Sequence, residues 1–524
     1  MLSGQASTVL AQVGSTPVVG PSGSGPGTGT TAIDPGAGTA TNDGTVPNGS
    51  PGGQPDASGV TLKPAVTTDK AISPATALPA ITPPAGAASS TTGPSVNAPT
   101  AAVGANDVTA LPSYGTTIVN APFGASLPIE PAIGGTESAV NSELGISVGS
   151  FRLSPQIEVN VGTDSNVFAQ AQSLGTVGSL YTTIAPTLDL RSDWLNHDLH
   201  ILASGITGFY ASAPTQNYLN YTLQADGKID IYTDFYATWS AAFKQTTEAL
   251  GTPNVAFAQA PTVVDSIPLN VGLYQRFNRL FYQLKGSLTR FTYYDYSAII
   301  VNGLPASSRD RTEYVESLRI GYDVFDELAL FVQPELNQRR YLNPVNSVDQ
   351  DRDSNGQLMN VGATWSPSPA TKLEATVGYQ NQVYQTFGGA TSAFTFSLSG
   401  SWNGYEPLTL RPSIQRSIAE TALTNYKNYV ATTYGVDFNY LIHDAWTAVG
   451  GVALVTADYT PVEGSGAAPR TDTIFRGQIG LLYSLRPQVQ IGPFFEYTTG
   501  SSTDPTTGPS YDREVISVRL IARR

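Results

Sequence analysis

From Phe151 onward, apolar and polar side chains alternate with a period of two. Phe394, Phe396, Leu398, Gly400 and Trp402 share one face of a segment whose other face is Thr395, Ser397, Ser399 and Ser401. Leu373, Ala375, Val377 and Tyr379 oppose Glu374, Thr376, Gln380 and Gln382. Phe235, Ala237, Trp239, Ala241 and Phe243 oppose Tyr236, Thr238, Ser240 and Lys244, and Leu153, Ile157, Val159 and Val161 oppose Arg152, Gln156, Glu158 and Asn160. Residues two apart on a strand lie on one side of the pleat, so each segment is a strand with one apolar and one polar face.

The connections between these segments alternate in length. Short ones fall near Trp194–Asp198, Lys228–Thr233, Asn278–Arg279, Phe325–Glu327, Ser366–Thr371, Asn403–Glu406, Ile442–Asp444 and Arg486–Pro487. Longer ones fall near 163–178, 246–267, 297–310, 342–356, 418–427, 459–471 and 500–510, with tight members at 212–216 and 387–391. Eight turns and nine loops make 17 connections and hence 18 strands, within a range of 16–18. Short turns at one end and long loops at the other are the habit of outer-membrane barrels. A soluble β-sandwich competes, but its strands run to about 5–6 residues, whereas these have the length that a tilted membrane strand needs. Aromatic residues gather near the strand ends, as interfacial girdles require. Five prolines, Pro155, Pro186, Pro334, Pro412 and Pro493, interrupt strands on the lipid-facing register. Each removes a ladder donor, and they are expected near one height, beside bulges that set curvature.

Composition divides the chain. Residues 1–147 hold 18 of the 37 prolines but one Tyr (Tyr114), one Phe (Phe123), no Trp and only two basic residues, Lys63 and Lys70. Such a Gly/Pro/Ala/Thr/Ser-rich segment cannot bury enough apolar surface to offset chain entropy, so it is expected to be a disordered tail. Residues 148–524 carry all five Trp and nearly all the Tyr and Phe, and form the barrel domain. An even strand number puts both barrel ends on the short-turn side, which places the tail in the periplasm. The tail serves there as a spacer or tether, or as a passive linker.

Charge and chemistry narrow the classes further. A formal charge of −14 argues against a nucleic-acid partner. The absence of Cys removes disulfides, thiolate metal sites and cysteine nucleophiles. No run of about 18 apolar residues exists for a membrane helix, which leaves β-structure as the way across a bilayer.

Four segments, in order, carry a resemblance. They are Leu153–Phe168 with its Asp164, Asn166, Val167, Phe168 loop, Arg191–Tyr210 with a Ser–Asp–Trp turn, Tyr221–Phe243, and Arg339–Gly356. Together they resemble the putative β-barrel porin-2 family of proteobacterial outer-membrane proteins, over roughly 148–524 and not the tail. The resemblance implies a channel-like barrel in the Gram-negative outer membrane, often linked to exopolysaccharide export. It implies outer-membrane lipid, lipopolysaccharide and the barrel-assembly machinery as partners, with exopolysaccharide or its export proteins beside them, and no cofactor. The expected function is passage of hydrophilic solute or exopolysaccharide. The rival is a non-conducting barrel that anchors a secretion machine through its tail. The chain departs from the barrel pattern at its end, Ser517–Arg524, where no terminal aromatic stands.

With the apolar register facing lipid, the opposite register supplies the expected lumen charges. The basic members are Arg152, Arg191, Lys244, Arg276, Lys285, Arg319, Arg339, Arg411, Arg476 and Arg519. The acidic members are Glu158, Asp189, Asp323, Glu335, Glu374, Asp437 and Glu496. This excess of three positive charges predicts a weak anion preference or an affinity for an acidic polysaccharide, unless the charges merely pair across strands. The spacing Asp349, Asp351, Asp353, Asn355 resembles a calcium loop but has Asn360 where a distal carboxylate is needed, so a solvated loop competes. His197 and His443 fall in predicted turns, and His197 and His200 face opposite sides of a strand, so capping is expected rather than metal binding. No outward His stands ready to activate a serine, and an enzyme is not expected. Met1–Gly20 has no basic residue and no apolar core of about 7–15 residues. The precursor is therefore expected to start upstream, with Thr8–Gln12 similar to the end of a signal.

Overall fold

A computed structural model describes residues 145–524 apart from 249, 253–260, 295–305, 344–350, 369, 386–388, 406 and 506–507. Its strands are β1 (Ile146–Val148), β2 (Phe151–Asp164), β3 (Ser179–Ser192), β4 (Asp198–Tyr210), β5 (Tyr218–Tyr232), β6 (Phe235–Glu248) and β7 (Thr262–Phe277). These are followed by β8 (Leu280–Tyr294), β9 (Arg311–Phe325), β10 (Leu328–Tyr341), β11 (Ser354–Ser368), β12 (Thr371–Tyr384) and β13 (Ala390–Tyr405). The last six are β14 (Leu408–Ala419), β15 (Tyr426–His443), β16 (Trp446–Pro461), β17 (Arg470–Arg486), β18 (Val489–Ser502) and β19 (Tyr511–Arg523). From β2 to β19 each strand pairs antiparallel with the next, and β19 returns to β2 through pairs such as Val518 with Val161 and Arg519 with Asn160. The result is a closed barrel of 18 strands. A closed sheet leaves no edge to pair with another chain.

Alternation decides which way each strand faces. Leu330, Val332 and Leu336 of β10 are exposed, whereas Phe331, Gln333, Glu335, Asn337 and Arg339 between them are buried. Ile516, Val518 and Leu520 of β19 are exposed against buried Val515, Ser517 and Arg519. An apolar exterior around a polar interior is the arrangement of a barrel whose solvent outside is lipid. Phe277, Tyr322, Phe325, Trp365 and Trp446 stand exposed near the short-turn end, and Phe209, Tyr294, Tyr314 and Phe394 near the loop end. These positions make two aromatic girdles.

The prolines are accommodated one side at a time. Pro334 keeps its register with Met359 of β11, while the β9 ladder skips from Val332 to Glu335. Pro412 faces Val436 of β15 and the β13 ladder is broken opposite it, and Pro493 faces Val518 of β19 while the β17 ladder is broken. Each gap falls where the missing N–H would have donated. A further strand proline, Pro268 of β7, behaves alike: it pairs with Thr289, and the ladder to β6 skips past it.

Several boundaries differ from the sequence expectation. β7 begins at Thr262 rather than after 267, since its ladder to β8 already carries Val263 to Ile267. β5 continues to Tyr232 across the expected turn at Lys228–Thr233. β1 crosses the expected boundary at 147/148 between tail and barrel and forms a short hairpin with the start of β2. Residues 1–144, and with them nearly all of the expected tail, lie outside the described residues. Inside the barrel, Gly321 and Gly362 leave the space that the rings of Phe281 and Phe331 fill; a methyl group at either position would collide with the ring.

Candidate functional site

The inner face is lined by ion pairs whose exposure changes with height. Five stand near the loop end: Arg309 with Glu248 at 2.6 Å, Arg311 with Glu313 at 2.7 Å, Arg470 with Asp472 at 2.5 Å, Arg339 with Glu420, and Arg513 with Asp164. No side chain in these five is more than 7% exposed. Three stand at mid-height: Arg319 with Glu374 at 2.9 Å, Arg476 with Glu496 at 2.6 Å and Arg519 with Glu158 at 3.3 Å, at 2–21% exposure. Near the turn end, Arg191 with Asp189, Lys228 with Asp230 and Arg276 with Asp323 are 19–40% exposed. The same residue types thus pass from dry to wet along the axis.

Aromatic rings orient the guanidiniums. Arg319 stacks on Phe331 and Arg519 on Phe494, each at 3.8 Å, and Arg309 stacks on Tyr293 at 4.1 Å. A planar cation held between a ring and a carboxylate has little freedom to swing.

The dryness at the loop end has a local cause. β13 and β14 pair only as far as Phe396 with Arg416, yet β14 and β15 stay paired to Ala419 with Tyr429. Freed from β13, the tip of this hairpin crosses the inner face of the neighbouring strands. The Ile418 amide donates to Gln380 of β12, and the Ile418 carbonyl accepts from Arg339 of β10 at 3.0 Å. Asn428 donates to Tyr384 and to Thr391, both at 2.9 Å. Ile418, Ala419, Asn428 and Tyr429 are completely buried, as no lipid- or water-facing strand end would be. Small apolar residues let the tip fit: Ala419, Leu423, Ala431, Ala453, Val455 and Ala457 pack together.

Glu420 latches that tip. Its carboxylate accepts from Arg339, from the Tyr341 hydroxyl at 2.8 Å and from the Tyr384 hydroxyl at 3.2 Å, while Arg352 donates to the Thr421 carbonyl. Burial alone would push the Glu420 carboxyl up; the guanidiniums of Arg339, Arg352 and Arg311 overcome this and hold it below the ordinary carboxylate range. The latch is therefore charged on both sides at neutral pH.

The structure brings ten of the sequence-derived lumen charges into pairs with one another: Arg191 with Asp189, Arg276 with Asp323, Arg319 with Glu374, Arg476 with Glu496, and Arg519 with Glu158. Arg411 stands directly opposite Asp437 in register. Lys285, Ser317 and Glu335 follow one another across β8, β9 and β10. Arg339 pairs instead with Glu420, and Arg152 lies exposed opposite Arg191. Lys244 sits opposite Ser266 and Thr222 on neighbouring strands. His197 caps the turn as expected, exchanging hydrogen bonds with Asp230. His200 bridges Asp189 and Asp226 at 3.2 and 3.0 Å. Asp349 lies outside the described residues. Asp351 and Asp353 turn their carboxylates onto the backbone amides of Asp353 and Tyr341, which holds the chain rather than presenting a cation cage.

Most of the loop-end tier escaped the sequence reading. Asp164, Glu248, Arg309, Glu420 and Arg470 fell inside expected loops, and Arg311, Glu313, Asp472 and Arg513 one to three residues beyond one. A signal existed: Arg311-Thr312-Glu313 and Arg470-Thr471-Asp472 place opposite charges two residues apart, on one face of a continuing strand.

The family model described as putative beta-barrel porin 2 matches residues 141–524. Among solved structures, the chain is similar to OpdO of Pseudomonas aeruginosa, with 13% identity, a TM-score of 0.39 and coverage of 72% of this chain and 98% of that one. It is similar to OccAB4 of Acinetobacter baumannii, with 12% identity, a TM-score of 0.36 and coverage of 71% and 98%. A third is the ferric citrate transporter FecA, with 10% identity, a TM-score of 0.38 and coverage of 71% and 78%. No curated protein matches the chain.

Proposed function

Because the chain belongs over residues 141–524 to the putative beta-barrel porin 2 family, we propose that it is an outer-membrane channel for hydrophilic solutes, closed at rest by the β14–β15 tip. The observation that carries this reading is the polar interior, continuous from the wet turn end to the latch and interrupted there by one removable hairpin tip. A barrel of about 16–18 strands is wide enough for an aqueous channel unless a segment plugs it. The turn end faces the periplasm in this reading and receives the N-terminal tail, and the girdles sit among lipid and lipopolysaccharide after insertion by the barrel-assembly machinery. Passage of an exopolysaccharide chain, suggested by the family resemblance, would require the whole tip to withdraw.

A second reading is favoured by the dryness of the loop end: a non-conducting barrel that anchors polysaccharide-export proteins through its tail. Planar-bilayer recordings separate the two. The full chain should show small or infrequent openings, and replacing Glu420–Asn425 by a short glycine linker should raise conductance several-fold. Silence from both proteins, folded by heat-modifiability on gels, would favour the anchor.

A further inference from the structure

We propose that the pocket that holds Glu420 is a binding site for a hydroxylated carboxylate of the sugar-acid class, and that Glu420 is a tethered stand-in which such a ligand displaces. The inference rests on the channel reading, because the ligand must arrive through the opened barrel.

The groups that bind the carboxylate itself lie outside the hairpin tip. Arg339 and Tyr341 of β10 and Tyr384 of β12 bind the carboxylate, and Arg352 just ahead of β11 binds the neighbouring Thr421 carbonyl. Strand register brings them together: Ser354 pairs with Arg339 on one side and with Tyr384 on the other. A guanidinium and two phenols on one carboxylate form a receptor of the kind that charge-assisted hydrogen bonding favours. Only the occupant comes from elsewhere in the sheet, on a tip that has left its own place beside β13.

That occupant does not use the whole pocket. Nε of Arg339 and Nε of Arg352 have no hydrogen-bond partner, although the two residues are only 1% and 5% exposed. The acceptors Oε1 of Gln382 and Oδ1 of Asn428 are likewise buried and unpartnered. Both belong to the same network: Gln382 donates to Ser354 at 2.8 Å, and Asn428 donates to Tyr384. Buried polar groups in native proteins are nearly all partnered, so these four atoms in the network that reaches Glu420 mark recognition capacity that the carboxylate leaves unused. Its chemistry is mixed. Guanidinium donors suit a carboxylate, and amide oxygens suit hydroxyl donors. Phosphate and acetate carry no hydroxyl array and would leave the amide oxygens unanswered.

The test uses the full chain in detergent, with glucuronate, glucose and acetate as probes in titration calorimetry, and the same solutes in bilayer recordings. Glucuronate should bind the intact protein weakly, because the tethered carboxylate competes. Glu420→Ala should tighten it about tenfold or more, by removing the competitor and so raising the fraction of pocket open to ligand. Glu420→Gln keeps the side-chain volume and should tighten it in the same direction, which guards against collapse of the alanine variant. Arg339→Gln added to either should abolish the gain, and heat-modifiability on gels verifies that each variant is folded. Equal binding of acetate and glucuronate, or Glu420 variants that bind no better than the intact chain, would overturn the assignment. Failure of the channel reading looks different: glucuronate would still bind more tightly to the Glu420 variants, while no variant conducted.

Discussion

The loop end and the turn end of this barrel are built from the same parts, arginines and carboxylates on inward-facing strand positions, yet they behave as opposite environments. At the loop end Arg470 and Asp472 are shut away from solvent, whereas at the turn end Arg191 and Asp189 remain about a third exposed. The difference lies in what covers the pairs, since the residue types are shared. The β14–β15 tip lies over Gln380 of β12 and Arg339 of β10, and seven of the eight connections at the opposite end are only two residues long. In the channel reading proposed above, one departure from the ladder, between Arg416 and Ala419, closes the barrel. The lesson is that a barrel can hold a dry and a wet compartment in series without any element that is not a strand or its connection.

The sharpest way to break this comparison is to remove one charge from each compartment. Arg470→Ala leaves Asp472 buried without its guanidinium and should destabilise the folded barrel by about 3–5 kcal/mol, the cost of an uncompensated buried charge. Arg191→Ala leaves Asp189 in reach of water and of His200, and should cost at most about 1 kcal/mol. Urea titrations in detergent micelles, read by the folded band on unboiled gels, measure both. Equal losses would mean that the two compartments do not differ in effective dielectric.

How much of this was legible beforehand follows the physics of each feature. The period-two pattern carried the strand number and every connection, because one face of each strand must meet lipid and therefore cannot hide its alternation. Boundaries failed where a strand continued past a residue that usually ends one, as at Pro268, which the β8 ladder still supports. The lumen charges at mid-height were visible as polar members of clean alternations. The latch was not, since Glu420 lay in what read as an ordinary loop. The clue was compositional: Ala419, Ala422 and Leu423 are apolar residues in a connection that should have been polar.

A smaller effect concerns selectivity, which depends on charges left after pairing. Five predicted cations are neutralised by five predicted carboxylates, so the interior is closer to balance than its basic count suggests. Lys244 and Lys285 are in no ion pair among the described residues, and the expected excess of positive charge rests on them. With the tip removed, reversal potentials in a salt gradient should show a modest anion preference that Lys244→Gln together with Lys285→Gln reduces toward none. Cation selectivity in the tip-deleted channel would refute the charge assignment.

The smallest expected effect comes from the N-terminal tail. Removing residues 1–140 stops short of the family match at 141 and of β1, so it should leave the barrel folded and heat-modifiable. A segment so poor in aromatic residues has little apolar surface to bury. Its effect on conduction should depend on which compartment limits the current. Resistances in series are dominated by the narrowest one, here the latched loop end, so in the otherwise intact chain tail removal should leave the conductance unchanged. In the tip-deleted channel that limit is gone and the turn end governs the current. Comparing the tail deletion in the two backgrounds therefore locates the tail. A rise only in the tip-deleted background would place it at the mouth of the wet compartment. A rise in the intact chain would mean that the tail, and not the β14–β15 tip, sets the main barrier, and the contrast between the two ends would have to be redrawn.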